Sequence, residues 1–220
     1  MDTAPRSASS TEIGARLNQL LVEAGIAPLS PPILARFEAY YALLQRWNAR
    51  MNLTSIRDQE GILSRHFVES IACAVHLPPE VNTLLDFGSG AGFPGIPIAI
   101  CRPEIHATLA ESQGKKSAFL REAVRTLGLG ATVHAGRAET LPTKFDCVIL
   151  RAVDRMEEAV KIAAGLVDDH GLLGLVTTTE DRGGLIEVVS EEFVWQTAIP
   201  LPASDTRILV LGRRLTASAA

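Results

Sequence analysis

Three stretches at the start of the chain carry apolar residues at helical spacing. The first runs from Thr11 to Ala24. The second starts at Ser30, a suitable N-cap, with Pro31 and Pro32 in its opening turn; Ile33, Phe37, Tyr40, Tyr41, Leu44 and Trp47 then recur on one face. A third helix is predicted from about Asp58 to Val75, and Pro78 and Pro79 end it. Beyond the prolines the period shortens. Thr83–Phe87, His106–Glu111, Ala131–Ala135, Phe145–Leu150 and Leu172–Thr177 read as buried strands, with helices over Gly114–Gly128 and Met156–Val167 between them. Strands alternating with helices predict a parallel sheet covered on both faces. Phe193–Ile199 and Arg207–Gly212 follow with no helix between them, which predicts an antiparallel pair closing the sheet. The pattern gives a disordered tail over residues 1–10, a helical extension over 11–78, an α/β domain over 79–214 and a second tail over 215–220.

Composition narrows the class. With 220 residues, 47% hydrophobic and 21% charged, the chain can bury a core and is not disordered. No apolar run reaches the ~18 residues that span a membrane, and Met1–Ser10 lacks the apolar segment of a secretory signal. Cys73, Cys101 and Cys147 are far apart and odd in number, which excludes a disulfide framework or the usual zinc spacing and suggests a reducing, cytoplasmic setting. The net charge of −4 hides an asymmetry: residues 102–137 hold 6 basic and 3 acidic side chains, residues 138–200 hold 5 and 12. A polyanionic partner needs a local basic face against that global field; on charge alone, a mildly acidic enzyme without such a partner is the simpler reading.

The densest motif is Asp86-Phe87-Gly88-Ser89-Gly90-Ala91-Gly92-Phe93-Pro94-Gly95, between the first strand and a helix. Alternate glycines let backbone turn tightly and approach a ligand. Gly90, Gly92 and Gly95 satisfy the G-x-G-x-x-G dinucleotide pattern, which would make the chain an NAD(P)-binding oxidoreductase. Asp86, Gly88, Gly90 and Gly92 satisfy D-x-G-x-G-x-G, the pattern of S-adenosylmethionine enzymes. A carboxylate there suits a ligand carrying an ammonium and a sulfonium better than a pyrophosphate. Glu111, ending the second strand, sits where doubly wound folds hold ribose hydroxyls, or is an exposed strand-end acid. After the third strand, Gly136-Arg137-Ala138-Glu139 lies where an adenine ring can be read, although Glu139 serves equally as a helix N-terminal acid. Arg151 ends the fourth strand at the ligand-binding edge of such sheets; an ion pair to Asp154 or Glu157 is its alternative.

The fourth strand also bears on the acceptor. An exocyclic amine calls for an Asn/Asp-Pro-Pro-aromatic stretch, and this chain has Arg151-Ala152-Val153-Asp154. A pyrimidine carbon needs a nucleophilic cysteine, whereas Cys147 lies inside an apolar strand. An acceptor that is already a nucleophile needs neither, and N7 of guanine fits, catalysis being then a matter of positioning.

These residues coincide with a known pattern. The chain resembles the bacterial 16S ribosomal RNA guanine-N7 methyltransferases (the glucose-inhibited division protein B family) over nearly its whole length. The resemblance rests on Arg46-Trp47-Asn48 with Asn52-Leu53-Thr54, Arg65-His66 with Glu69-Ser70, Gly88 to Gly95, Gly114-Lys115-Lys116 with Phe119-Leu120, and Leu150-Arg151-Ala152. It implies a Rossmann-like class I methyltransferase with a doubly wound, mostly parallel seven-stranded sheet and an N-terminal helical extension. It further implies S-adenosylmethionine as cofactor and methylation of one guanosine, position 527. Its cofactor positions fall on Gly88, Phe93, Ala138, Glu139 and Arg151, with the acid on Glu111; Asp86 and Gly90 join them from the loop pattern. The 16S RNA, free or in the small subunit, is the implied partner of a monomer. Arg57, Arg65, His66, Lys115, Lys116 and Arg137 are the candidate RNA contacts, and Arg121 and Arg125, spaced i, i+4, are read as a solvated helix face. His66 would carry any pH dependence of RNA binding. One departure stands out. The resemblance implies Leu-Lys-Gly after the fifth strand, and this chain reads Val176-Thr177-Thr178-Thr179-Glu180. That loss motivates a third reading, an RNA-binding relative without activity.

Overall fold

The computed structural model describes residues 10–215. The expected tails at 1–10 and 215–220 therefore lie outside it, except for Ser10, which opens the first helix, and the exposed Leu215. Helix α1 (Ser10–Glu23) buries Ile13, Leu17 and Leu21, one side chain per turn. Helix α2 (Pro31–Asn48) begins after Ser30 as predicted, with the two prolines in its first turn, but Ser30 makes no side-chain cap bond. Its buried face is Phe37, Tyr40, Leu43, Leu44 and Asn48. Asn48 explains the Trp-Asn and Asn-Leu-Thr signatures structurally. Its Oδ1 accepts the Leu53 and Thr54 amides at 2.9 and 3.1 Å, and its Nδ2 donates to the Thr54 carbonyl at 3.2 Å, so the side chain ties off the loop after α2.

The third predicted helix is found with one difference. It opens as a single turn α3 (Gln59–Gly61), capped by Asp58 Oδ1, which accepts the Gly61 amide at 2.7 Å. It then widens into π-helix over Ile62–Val68 and closes as α4 (Glu69–His76). The wider turn leaves Arg65 exposed while Phe67, Val68, Glu69 and Ser70 are all buried.

The strands are β1 (Thr83–Phe87), β2 (His106–Ala110), β3 (Thr132–His134), β4 (Phe145–Arg151), β5 (Val167–Thr178), β6 (Phe193–Trp195), β7 (Ile199–Pro200) and β8 (Arg207–Arg214). They form one sheet in the order β3-β2-β1-β4-β5-β8-β6, with β7 also on β8. Strands β1 to β5 pair in parallel, and β8 runs antiparallel to β5, β6 and β7. The predicted antiparallel closure is present, with one correction. The sheet has eight strands, not seven, because the stretch read as Phe193–Ile199 breaks after Trp195 into β6 and the two-residue β7. Within the closing pair β8 is the inner strand, between β5 and β6.

Helices α5 (Gly95–Cys101), α6 (Gly114–Leu127), α7 (Met156–Gly165) and α8 (Arg182–Glu187) connect the strands, with a 3₁₀ turn at Ala138–Thr140. The N-terminal helices share a core with α5 and α6, through Leu17, Phe37, Phe67, Ile96 and Phe119. Helices α7 and α8 pack another core, with Val160, Ala163 and Leu185 against Leu173 and Leu175. Cys73 and Cys147 lie in a third, and burial pushes both thiols up to about 12, so Cys147 is core, as its apolar strand indicated. Strand order reverses between β1 and β4, and the carboxyl ends there form the crevice in which open α/β sheets bind ligands.

Candidate active site

Two adjoining clefts open at that edge. One, of about 230 Å³, is lined by Gly88 of the glycine loop, Ala110 and Glu111 after β2, Ala138 and Glu139 of the 3₁₀ turn, and Val153 to Arg155 after β4. The other, of about 630 Å³, lies over the ends of β4 and β5, between Val176 to Thr178, Asp181, Arg207 and the start of α7. Val153, Arg155 and Glu158 line both. The turn between the clefts holds Ala152 and Arg155 at φ of +50° and +51°, a costly backbone for residues with a Cβ.

Within the glycine loop Gly88, Gly90 and Gly92 all have positive φ, +69°, +58° and +92°. A Cβ on Gly90 would meet only the Gly88 carbonyl, at 3.8 Å, so the space before it is open. A Cβ on Gly95 would lie 2.5 Å from both Asp86 Oδ2 and Leu109 Cδ2, so that glycine serves the packing of α5 against β1 and β2. Glu111 closes the other side: Oε2 accepts the Gly90 amide at 2.9 Å and Oε1 the Gln113 amide at 2.7 Å. Each carboxylate oxygen keeps a lone pair for a second donor, such as a ribose hydroxyl. Glu111 is thus a buried acid, not an exposed strand end.

Gly88, Glu111, Ala138 and Glu139, four of the expected cofactor positions, line one cleft. Asp86, Gly90, Phe93 and Arg151 do not. Asp86 is buried beneath the loop, where Oδ2 accepts the Ser89 hydroxyl at 2.5 Å and the Gly95 amide at 3.1 Å. Its Oδ1 is buried without a hydrogen-bond partner among the described residues. Burial pushes this carboxyl from 3.8 up to about 6, against the pull of those two donors and of Arg151. The aspartate therefore ties the loop from below instead of facing a ligand's cation. Phe93 is buried and stacks on the His66 ring, with centroids 4.5 Å apart and planes at 15°.

Arg151 finds neither Asp154 nor Glu157. Its guanidinium pairs with Glu69 at 2.7 Å and donates to the Arg65 carbonyl at 2.5 Å and to Ser70 Oγ at 3.3 Å. Arg207 reaches the same Glu69 oxygen at 3.2 Å, so two guanidiniums share one fully buried carboxylate. Burial pushes the Glu69 carboxyl up and the Arg151 guanidinium down, each against their ion pair. The pair fastens the π-helix and α4 to the end of β4. Sequence reasoning quoted Glu69 only as part of a signature; an acid buried in an apolar helical run was the available signal. It passed over Arg207 entirely. That residue pairs in register with Thr178, in the segment where the lysine was expected, and it lines the larger cleft.

Of the candidate RNA contacts, Arg57, Arg65, Lys115 and Arg137 are exposed and Lys116 is half-buried. His66 is a correction. Its ring lies on Phe93, its Nε2 is 2.7 Å from Thr54 Oγ1, and burial together with Arg151, Arg65 and Arg207 lowers it to about 3. A histidine held neutral in this way does not titrate near neutral pH.

Residues 33–196 match the model of a family described as rRNA small subunit methyltransferase G. The protein named ribosomal RNA small subunit methyltransferase G in Roseiflexus sp. (strain RS-1) is 43% identical over 145 residues, 63% of this chain and 62% of that one, so the match spans just under two thirds of that relative's length. The protein of the same name in Bacillus pumilus (strain SAFR-032) is 35% identical over 210 residues, 88% of this chain and 87% of its own. Among solved structures, M. jannaschii TYW2 in complex with AdoMet superposes with a TM-score of 0.53 at 14% identity, covering 67% of this chain and 74% of that one, a likeness of fold. With three left-handed glycines at the β1 edge, a cleft lined by the first of them, Gly88, and a family match over three quarters of its length, the chain belongs to the rRNA small subunit methyltransferase G family.

Proposed function

We propose that the protein transfers a methyl group from S-adenosylmethionine to N7 of one guanosine, position 527, of 16S ribosomal RNA. The observation that carries this is the pair of contiguous clefts at the strand-order reversal, one reached by Gly88 of the glycine loop and the other open over β4 and β5. In this reading the open space before Gly90 would admit backbone contact, Glu111 would accept from ribose hydroxyls, and the Ala138–Glu139 turn, which lines the same cleft as Glu111, would meet the adenine edge. When bound, S-adenosylmethionine supplies an electrophilic methyl on a sulfonium.

The larger cleft would hold the acceptor base. N7 attacks with its own lone pair and no proton leaves, so the chain supplies position and charge rather than a base. Glu157, Glu158 and Asp181 line that cleft and favour the positive charge the guanine acquires. Arg151, paired beneath the surface, acts by holding the π-helix and α4 in place. Arg57, Arg65, Lys115, Lys116 and Arg137 are assigned to phosphates. The protein works as a monomer in the cytoplasm; among the described residues no helix is long and apolar enough to cross a membrane. Membership of the family speaks against an NAD(P) oxidoreductase. An inactive relative is separated by turnover.

The test is mass-spectrometric mapping of small-subunit RNA from cells with and without the protein, together with methylation of that RNA in vitro. The reading expects 7-methylguanosine at one site. A methyl on an exocyclic nitrogen, a ribose oxygen or a pyrimidine carbon overturns it.

A further inference from the structure

The N-terminal helices reach the glycine loop through one hydroxyl. Tyr40, in the middle of α2, is fully buried, and its Oη donates a 2.6 Å hydrogen bond to the Ala91 carbonyl. Ala91 stands between Gly90 and Gly92, both in the left-handed region. A Cβ on Gly92 would lie 2.8 Å from Tyr40 Oη and 2.4 Å from Ile96 Cδ1, so the phenol occupies the space behind the loop. The ring is itself clamped. It stacks on Phe67 of the π-helix, with centroids 5.3 Å apart and planes at 13°, and lies 5.4 Å from Phe93 within the loop.

Two features separate this contact from ordinary packing. Tyr40 stands among Phe37, Phe67, Phe93 and Phe119, and the ring of a phenylalanine would fill the same place. A hydroxyl in such a cluster costs desolvation that phenylalanine does not, and its one recorded partner is a loop carbonyl. The other feature is what it holds. Alternate glycines have the most backbone freedom to lose, so a loop built from them is the segment that gains most from external anchors. Asp86 anchors it at Ser89 and Gly95, and Glu111 at Gly90. Tyr40 supplies the anchor at Ala91, from an element outside the sheet.

We propose that Tyr40 is a positioning residue for cofactor binding: its hydroxyl holds the Ala91 carbonyl so that the glycine loop has its ligand-receiving shape before the ligand arrives. Tyr40 does not touch the ligand or the reacting atoms. The proposal rests on the reading that this loop binds S-adenosylmethionine.

The experiment compares the wild type with Tyr40→Phe and Phe37→Leu. Phe37 lies one turn earlier on α2 and packs on the same Phe67 ring, 5.2 Å away, but its side chain has no hydroxyl with which to hold the loop. Each protein is measured for urea stability, for amide hydrogen exchange of Gly88–Gly95 without ligand, for S-adenosylmethionine affinity by calorimetry, and for KM and kcat. For Tyr40→Phe we expect faster loop exchange and a rise of about tenfold in both Kd and KM, with kcat at saturation within about twofold. For Phe37→Leu we expect lower stability with loop exchange and Kd unchanged. Wild-type exchange and wild-type Kd in Tyr40→Phe overturn the proposal. So do changes in both variants that simply follow their loss of stability. A wild-type protein that fails to bind S-adenosylmethionine overturns the underlying reading, and is distinct from normal wild-type binding that Tyr40→Phe matches.

Discussion

Replacing Asp86 by asparagine removes a titratable group from beneath the glycine loop while keeping its shape. The amide oxygen can still accept the Ser89 hydroxyl and the Gly95 amide. In the wild type the folded carboxyl titrates at about 6 rather than 3.8, because burial outweighs its two donors. The sign follows from linkage. Below the unfolded value the group is neutral in both states and its contribution to stability is fully present. As pH rises through about 6 the fold must bury a carboxylate, and that contribution is lost. At about 1.4 kcal/mol per tenfold in the proton equilibrium, the loss comes to about 3 kcal/mol. The raw pH profile will hide it. His66, lowered to about 3, works in the opposite sense: its contribution is present above its ordinary value of 6.5 and is lost as pH falls. The difference between wild type and Asp86→Asn cancels His66 and every other group. Urea unfolding at constant ionic strength from about pH 4, where part of the loss has already occurred, to about pH 7 should show that difference, wild type minus variant, falling by about 2 kcal/mol. A difference that is flat with pH, or that grows as pH rises, refutes the placement of Asp86 as a buried acid without enough donors.

Four further outcomes are expected. Arg151→Met, leaving Glu69 with Arg207 alone, should cost about 3 kcal/mol in urea unfolding, and a loss below about 1 kcal/mol would mark the pair as no stronger than a surface one. Gly90→Val should abolish S-adenosylmethionine binding in a folded protein, whereas Gly95→Ala should cost about 1–3 kcal/mol of stability through its clash with Asp86 and Leu109; tight calorimetric binding by Gly90→Val sinks the first half. His66→Gln should leave the pH dependence of RNA binding unchanged between about pH 6 and about pH 8, because the wild-type ring is already neutral there. Alanine at Arg57, Arg65, Lys115, Lys116 or Arg137 should reduce the salt slope of RNA binding by about 0.7 per phosphate contact, while Arg121→Ala leaves it unchanged.

The parallel part of the fold was legible because its cause is local. Strand β1 has its predicted bounds, and α6 ends one residue before its predicted Gly128, which caps it in the left-handed conformation. The features that were not legible depend on residues far apart in the chain. The π-helical stretch carries Phe67 into the aromatic stack and Glu69 to two guanidiniums, at Arg151 and Arg207, and helical periodicity contains neither partner. The break after Trp195 has a similar origin. Gln196 still donates to Leu211 at 2.9 Å, but the ladder resumes only at Ile199, where two residues pair with Leu209 and Ile208. Helix α8, six residues with two glycines, is too short and too weak in propensity to show. The site was half legible. Glycines and strand-end acids announce a cleft by their spacing, whereas whether Asp86, Phe93 or Arg151 faces that cleft depends on what holds each of them: the loop's own Ser89 and Gly95 for Asp86, α2 and the π-helix for Phe93, and the π-helix with α4 for Arg151.

The two glycine patterns that competed in the sequence are both real in the structure, and they describe different work. Gly88, Gly90 and Gly92 shape the loop through their positive φ, while Gly95 lets α5 approach Asp86 and Leu109. Asp86 belongs with the second set, as a tie beneath the loop, so its value as a signature does not come from facing a cationic ligand. That role passes to other carboxylates. Glu111, Glu139, Asp154 and Glu158 line the smaller cleft against two cations, Arg137 and Arg155. Three of those four acids come from the 138–200 stretch whose negative balance seemed to work against an RNA partner. Placed at the carboxyl edge of the sheet, they favour an ammonium and a sulfonium. The cations proposed for phosphates come mostly from elsewhere: Arg57 before the π-helix and Arg65 within it, and Lys115 and Lys116 at the start of α6. A net charge of −4 is therefore compatible with the proposed cationic cofactor and polyanionic substrate, because the acids lining the smaller cleft and the candidate RNA cations are drawn from different stretches of the chain.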